Sequence, residues 1–229
     1  MLQKVIQACL EVLFPRKCAG CHCLLHPNEQ QICLCCSFRL PRSPDLLFNG
    51  NEVARMFSHR LHIVQMYSWL SYREGGLGSQ LLKQVKYGGK KDLGTYLGSC
   101  FYEDWSAREK PILPDVVVPI PLTRSKLRKR GYNQSEAIAH GWCNSSGAPL
   151  KSSLLKRVHQ KKQQTQLSRL QRFENVKTAF KWDLKALKPY SHIMIFDDTT
   201  TTGATLEAAA IPLVKKGIKV SFATLAYVE

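Results

Sequence analysis

Two groups of side chains in this 229-residue sequence have the types and spacing to do chemistry. The first is IMIFDDTTTTGAT, residues 193–205. An apolar run leads into adjacent carboxylates, Asp197 and Asp198, then into four threonines, a glycine and a helix-like segment. Carboxylates accept hydrogen bonds from sugar hydroxyls or hold a metal ion. A glycine at the start of a helix lets backbone N–H groups come close to a phosphate. Thr201, Thr202 and Thr205 add hydroxyl donors. A helix cap would use one carboxylate only, and a metal site would leave the threonines unused. A sugar phosphate satisfies both halves at once. The Walker pattern of ATP-driven motors is absent.

The second group is the cysteines, six of nine of which lie between residues 18 and 36. Such density without an export signal points to a metal rather than to disulfides. Cys18-x2-Cys21 and Cys33-x2-Cys36 each present two thiolates, and together they form the four-ligand set of a structural zinc site. Cys23 and Cys35 are alternative ligands, with His22 and His26 as spare candidates. A site with all four positions filled is structural, not catalytic. Cys9, Cys100 and Cys143 fall in helical patterns and read as buried small hydrophobes.

The elements that must position these groups alternate. HIVQMYSWLSY (62–72) reads as a strand, with a hairpin as one option. Segments 78–89 and 91–105 read as helices. DVVVPIP (115–121) and HIMIF (192–196) are continuous apolar runs, the mark of strands buried on both faces. Residues 133–142 and 203–217 read as helices, with Pro212 inside the second, and 219–228 as a closing strand. Alternation of this kind predicts an α/β fold with a mostly parallel sheet flanked by helices. In that fold ligands bind at the carboxyl ends of the strands, which is where the acidic pair is expected, just past IMIF. The proline- and asparagine-rich stretch 40–52 separates the cysteines from the rest. It suggests a zinc-binding module over 1–45, opened by an amphipathic helix (Leu2, Ile6, Cys9, Leu13), and a larger domain over 46–229. No run of about 18 apolar residues spans a membrane, and no signal peptide is evident, so the expectation is a cytoplasmic protein without a transmembrane segment.

The formal net charge is +16, from 33 Lys+Arg against 17 Asp+Glu. It is not spread evenly: residues 116–188 hold 16 of the basic and 3 of the acidic residues. A charge kept for solubility would be scattered, so clustering favours a polyanionic partner. RSKLRKRG packs Arg124, Lys126, Arg128, Lys129 and Arg130 into seven positions, too dense for one helical stripe, so several must face solvent together. Trp142, Phe173 and Trp182 stack bases or, more simply, fill the core.

FDDTTTTGAT resembles the phosphoribosyl pyrophosphate (PRPP) motif of type I phosphoribosyltransferases. More specifically, the sequence resembles the ComF family of competence proteins in four blocks: CAGC…CLCC, LKQVKYGGKKDLG, VVVPIPLTRSKLRKRGYNQSEAIA and KR…QQTQLSRLQRFENVKTAF. The resemblance runs from about residue 12 to the C-terminus. It implies a type I phosphoribosyltransferase-like sheet behind the small zinc module. It implies that Asp197 and Asp198 contact the ribose hydroxyls while Thr201, Thr202, Gly203, Ala204 and Thr205 wrap the 5-phosphate. Thr123 and Arg124 would fall in a pyrophosphate loop. The stretch 156–168 would form a mobile loop whose Lys156, Arg157, Lys161 and Lys162 neutralise the leaving group together with Mg2+. It further implies a role in DNA uptake, with single-stranded DNA or a competence helicase as partner. The alternative is an active phosphoribosyltransferase whose acceptor the sequence does not mark. Thr199 and Thr200 stand where family members commonly carry an apolar residue, a difference expected to change packing alone. No general base is evident, although Glu136 and His140 share a helical face.

Overall fold

The computed structural model describes residues 15–43, 61, 63–108, 112–158 and 179–228. The expected N-terminal helix, the proposed boundary near residue 45, Lys161, Lys162 and Phe173 lie outside these residues.

Four described strands form one parallel sheet in the order β1-β6-β5-β2. They are β1 (Met66–Tyr72), β2 (Val116–Pro119), β5 (His192–Thr200) and β6 (Lys219–Val228). A short antiparallel ribbon pairs β3 (Leu155–Arg157) with β4 (Phe180–Trp182). The helices are α1 (Leu34–Phe38), α2 (Leu77–Tyr87), α3 (Lys91–Arg108), α4 (Arg124–Arg130), α5 (Gln134–Ser146) and α6 (Ala204–Val214).

The apolar runs are continuous because the sheet is covered on both faces, and successive side chains alternate between them. Tyr67, Trp69, Val117, Met194, Phe196, Ala223 and Leu225 pack with α2, α3 and α5. Met66, Val116, Val118, Ile193, Ile195, Val220 and Phe222 pack with α6 and the ribbon. The α/β architecture with a mostly parallel sheet is therefore as the sequence predicts. Two details differ. β1 starts at Met66 and pairs in parallel with β6 rather than in a hairpin. β5 runs on to Thr200, because β6 continues alongside and gives Asp197, Thr199 and Thr200 backbone neighbours in Thr224, Ala226 and Tyr227.

α3 and α5 touch backbone to backbone. A Cβ at Gly98 would lie 1.9 Å from Ile138 O, and one at Gly141 would lie 1.8 Å from Thr95 O. Only glycine permits that approach. The hydroxyls of Thr95 and Ser99 fasten it by donating to Ala137 O and Gly141 O, at 3.3 and 3.1 Å. This contact sets where the N-terminus of α5 meets the sheet. Trp142 and Trp182 are both buried, and the Trp182 indole donates to Ala209 O. They are core residues, unavailable for stacking on bases.

The cysteine-rich segment joins the first of these cores. Cys18, Ala19, Ile32, Cys33, Cys36 and Leu40 belong to the cluster that holds Trp69, Leu81 and Phe101. The Gln84 amide on α2 donates to Ala19 O. Arg42 donates to Asp104 on α3 at 2.5 Å and to Ser37 O at 2.7 Å, and the Trp69 indole donates to the same carboxylate at 2.7 Å.

Candidate functional site

The acidic pair sits at the carboxyl end of the sheet. β2 stops opposite Phe196, where Ile120 N donates to Phe196 O, so the next two residues of β5 have no described strand on that side. Asp197 is 9% exposed and Asp198 6%. The correction to the sequence reading is that both lie within β5, not past its end.

Two buried carboxylates side by side are unfavourable unless their oxygens find partners. Ser135, in the first turn of α5, donates its hydroxyl to Asp197 Oδ1 at 2.8 Å, and Asp198 N donates to the same oxygen at 2.8 Å. Thr199 donates its N–H and hydroxyl to Asp198 Oδ1, at 2.7 and 3.2 Å. Lys86 Nζ, at the end of α2, lies 3.1 Å from Asp198 Oδ2 and donates to Thr199 Oγ1 at 2.9 Å. Thr199 thus does more than alter packing: its hydroxyl links the lysine to the carboxylate. Burial and the neighbouring Asp198 charge push the Asp197 carboxyl well above the ordinary carboxylate range. Arg157 on β3 lies in the field of Asp197, with its guanidinium over the Phe180 ring at 5.2 Å. Lys156 beside it is exposed.

The next residues turn into α6. Thr201 and Thr202 are exposed, and Gly203 adopts a left-handed conformation at φ 70° as the cap of the helix. No side chain caps α6, so its first N–H groups, from Ala204 and Thr205 onward, are open to an anion. Pro212 lies within α6 rather than at its start. After β2, Thr123 caps α4 by accepting a bond from Lys126 N at 3.3 Å. Arg124, Lys126, Arg128 and Lys129 are all exposed, and α4 buries none of its residues. Glu136 and His140 do not act as a pair: Glu136 accepts from Ser152 at 2.6 Å and His140 bonds Asn144 at 3.2 Å.

The thiols of Cys18, Cys21, Cys33 and Cys36 all lie within 4.8 Å of one another. Four sulfurs around one zinc stand about 3.8 Å apart, from a Zn–S bond of about 2.3 Å in a tetrahedron, and Cys21 and Cys33 are at 3.6 Å. Backbone N–H groups of Gly20 and Cys33 point at Cys18 Sγ, and that of Cys36 at Cys33 Sγ, at 3.2–3.4 Å. Hydrogen bonding, first from the Cys23 backbone, holds the Cys21 thiol down to about 6. These features fit a tetrahedral thiolate site. The Cys23 sulfur lies 3.2 Å from that of Cys21, while Cys35 is exposed on α1. Among the described residues this is the one group of three or more His, Cys, Asp or Glu that could hold an ion.

Sequence reasoning missed Lys86 and Ser135. Both belong to blocks that resemble the ComF family, the one signal that could have drawn attention to them.

The molecule is therefore an α/β protein with a parallel sheet, a buried acidic pair at its carboxyl end and a four-cysteine cluster compatible with zinc. No family model matches the chain. It is 26% identical over 216 residues to competence protein F of Haemophilus influenzae, covering 90% of this chain and 94% of that protein. It is 28% identical over 205 residues to competence protein ComFC of Bacillus subtilis, covering 87% and 78%. It is 29% identical over 142 residues to the DNA utilization protein YhgH of Escherichia coli, covering 61% and 62%. These similarities support the resemblance to the ComF family of competence proteins. No helix among the described residues is long and apolar enough to cross a membrane.

Proposed function

We propose that the chain serves DNA uptake, binding PRPP or a related phosphoribosyl ligand at residues 197–205 and single-stranded DNA on the basic face around α4. One observation carries the ligand reading: Lys86 and Ser135, from two separate helices, converge on the acidic pair beside the uncapped start of α6. In this reading the ribose hydroxyls donate to Asp197 and Asp198. Thr201, Thr202, Gly203, Ala204 and Thr205 take the 5-phosphate. Thr123 and Arg124, with Lys156 and Arg157 from the ribbon, face the diphosphate, and Mg2+ enters with it. Zn2+ on Cys18, Cys21, Cys33 and Cys36 is structural, bracing α2 through the bond from Gln84 to Ala19. The DNA-uptake role follows from the names of the relatives, and a competence helicase is a second partner consistent with it.

The test is calorimetric titration with PRPP and Mg2+ of the wild type and of the double variant Asp197→Asn, Asp198→Asn. A loss of more than tenfold is expected, since each charge-assisted bond contributes roughly 1.5–3 kcal/mol. Unchanged affinity refutes the site. Pyrophosphate release on adding nucleobases or ammonia would mark the chain as a transferase.

A further inference from the structure

Consecutive residues at the end of α2 face opposite ways. Lys86 turns inward to the acidic pair, whereas Tyr87 is 68% exposed. The Arg130 guanidinium lies over the Tyr87 ring, 5.0 Å from its centroid, and donates to its hydroxyl at 3.4 Å. The Tyr132 hydroxyl donates to Val85 O, so the turn after α4 is tied to the last turn of α2. The tyrosine and arginine are thus held together by both elements.

Cations surround them. Lys83, Lys90 and Lys91 are exposed on one side, and the basic residues of α4 on the other. No acidic residue lies between Asp115 and Glu136, and Asp92 is the exposed carboxylate beside Lys91. An acidic membrane or a phosphopeptide would use the cations and leave the ring idle. A DNA duplex hides the faces of its bases. A single strand offers phosphates and free base faces together, and bases stack on aromatic rings and on guanidinium planes. Trp142 and Trp182 are buried, and among the described residues of this face Tyr87 is an exposed aromatic placed to meet a base.

We propose that Tyr87, braced by Arg130, is the base-stacking residue of the basic face. The proposal rests on the reading of that face as a single-stranded DNA site, and it names the part of the ligand recognised there.

The experiment compares an unstructured oligonucleotide with an abasic deoxyribose-phosphate strand of equal length, by fluorescence polarisation at low salt. Tyr87→Ala is expected to weaken binding of the base-bearing strand about tenfold, the scale of one aromatic stack, and to leave the abasic strand unaffected. Tyr87→Phe keeps the ring and should bind within about twofold of wild type. Zinc content and circular dichroism serve as controls for folding. If Tyr87→Ala binds both strands as the wild type does, stacking is wrong and the basic face stands. If it weakens both equally, Tyr87 acts by placing Arg130, and stacking is again wrong. If the wild type binds neither strand, the reading of the face fails, and this proposal with it.

Discussion

Lys86 Nζ and Asp198 Oδ2 stand 3.1 Å apart, joining the helix after β1 to the end of a central strand. The carboxylate is almost fully buried, and Lys86 is its one cation among the described ion pairs. The lysine therefore keeps a negative charge tolerable where a ligand hydroxyl would meet it.

Lys86→Met should weaken PRPP binding and destabilise the chain by about 2 kcal/mol, the scale for leaving a buried acceptor without its partner. It should also move the pH dependence of binding upward, because the Lys86 charge helps hold the Asp197 carboxyl down. Lys86→Arg should restore part of both. Calorimetry across pH checks this, and an unmoved pH profile would assign the lysine a structural role only.

Asp197→Asn should raise the melting temperature near pH 8 while weakening ligand binding. The carboxyl titrates higher in the folded chain than in the unfolded one, chiefly through burial. Above pH about 4 the unfolded chain loses this proton first, so stability falls as pH rises through that window. Asparagine mimics the neutral form. Its gain, about 2–4 °C for each kcal/mol, should vanish below pH about 4. Differential scanning calorimetry at both ends of the range decides it; equal melting points at pH 8 would contradict the burial argument.

Gly98→Ala and Gly141→Ala should each destabilise the chain by about 3 kcal/mol or more, because the added methyl meets backbone oxygen rather than a movable side chain. Gly94→Ala should be milder, since its nearest neighbours are side chains at 3.2 and 3.3 Å. Urea midpoints rank the three.

One equivalent of zinc should be found by elemental analysis and be lost in Cys33→Ser. Metal binding energy is folding energy in such sites. Cys18, Cys33 and Cys36 share a core with Trp69 and Leu81. Amide exchange should therefore quicken in α2 as well as around the thiols. Protection in α2 that survives metal loss would count against that coupling.

The strands were legible because a sheet covered on both faces demands unbroken apolar runs such as VVVP and HIMIF. Their ends were not, because the neighbouring strand decides where pairing stops: β6 carries β5 past Asp198. α4 was hidden for another reason. Leu127 is its single apolar residue and is itself partly exposed, so no buried stripe announces the helix. Its caps do, with Thr123 at one end and Gly131, at φ 77°, at the other. The acidic pair and the four thiols could be read from types and spacing. Lys86 and Ser135 could not, since contacts across the fold leave no local pattern.

The strand order also has a consequence for how the chain comes to be folded. β1 and β2 lie at the edges and never touch each other; β5 and β6, the last described strands, fill the middle. During synthesis β1 must wait for β6 before it finds its parallel sheet partner, with Met66 matched to Phe222 and Tyr72 to Val228. Such long-range closure is slow compared with local helix formation. Until β6 emerges, β1 has backbone partners at residues 41–43, where Ser43 N donates to Trp69 O and Ser71 N to Pro41 O, and its other edge stays open. A chain cut before Lys219 would keep the β2–β5 pair and leave β1 without a place in the sheet.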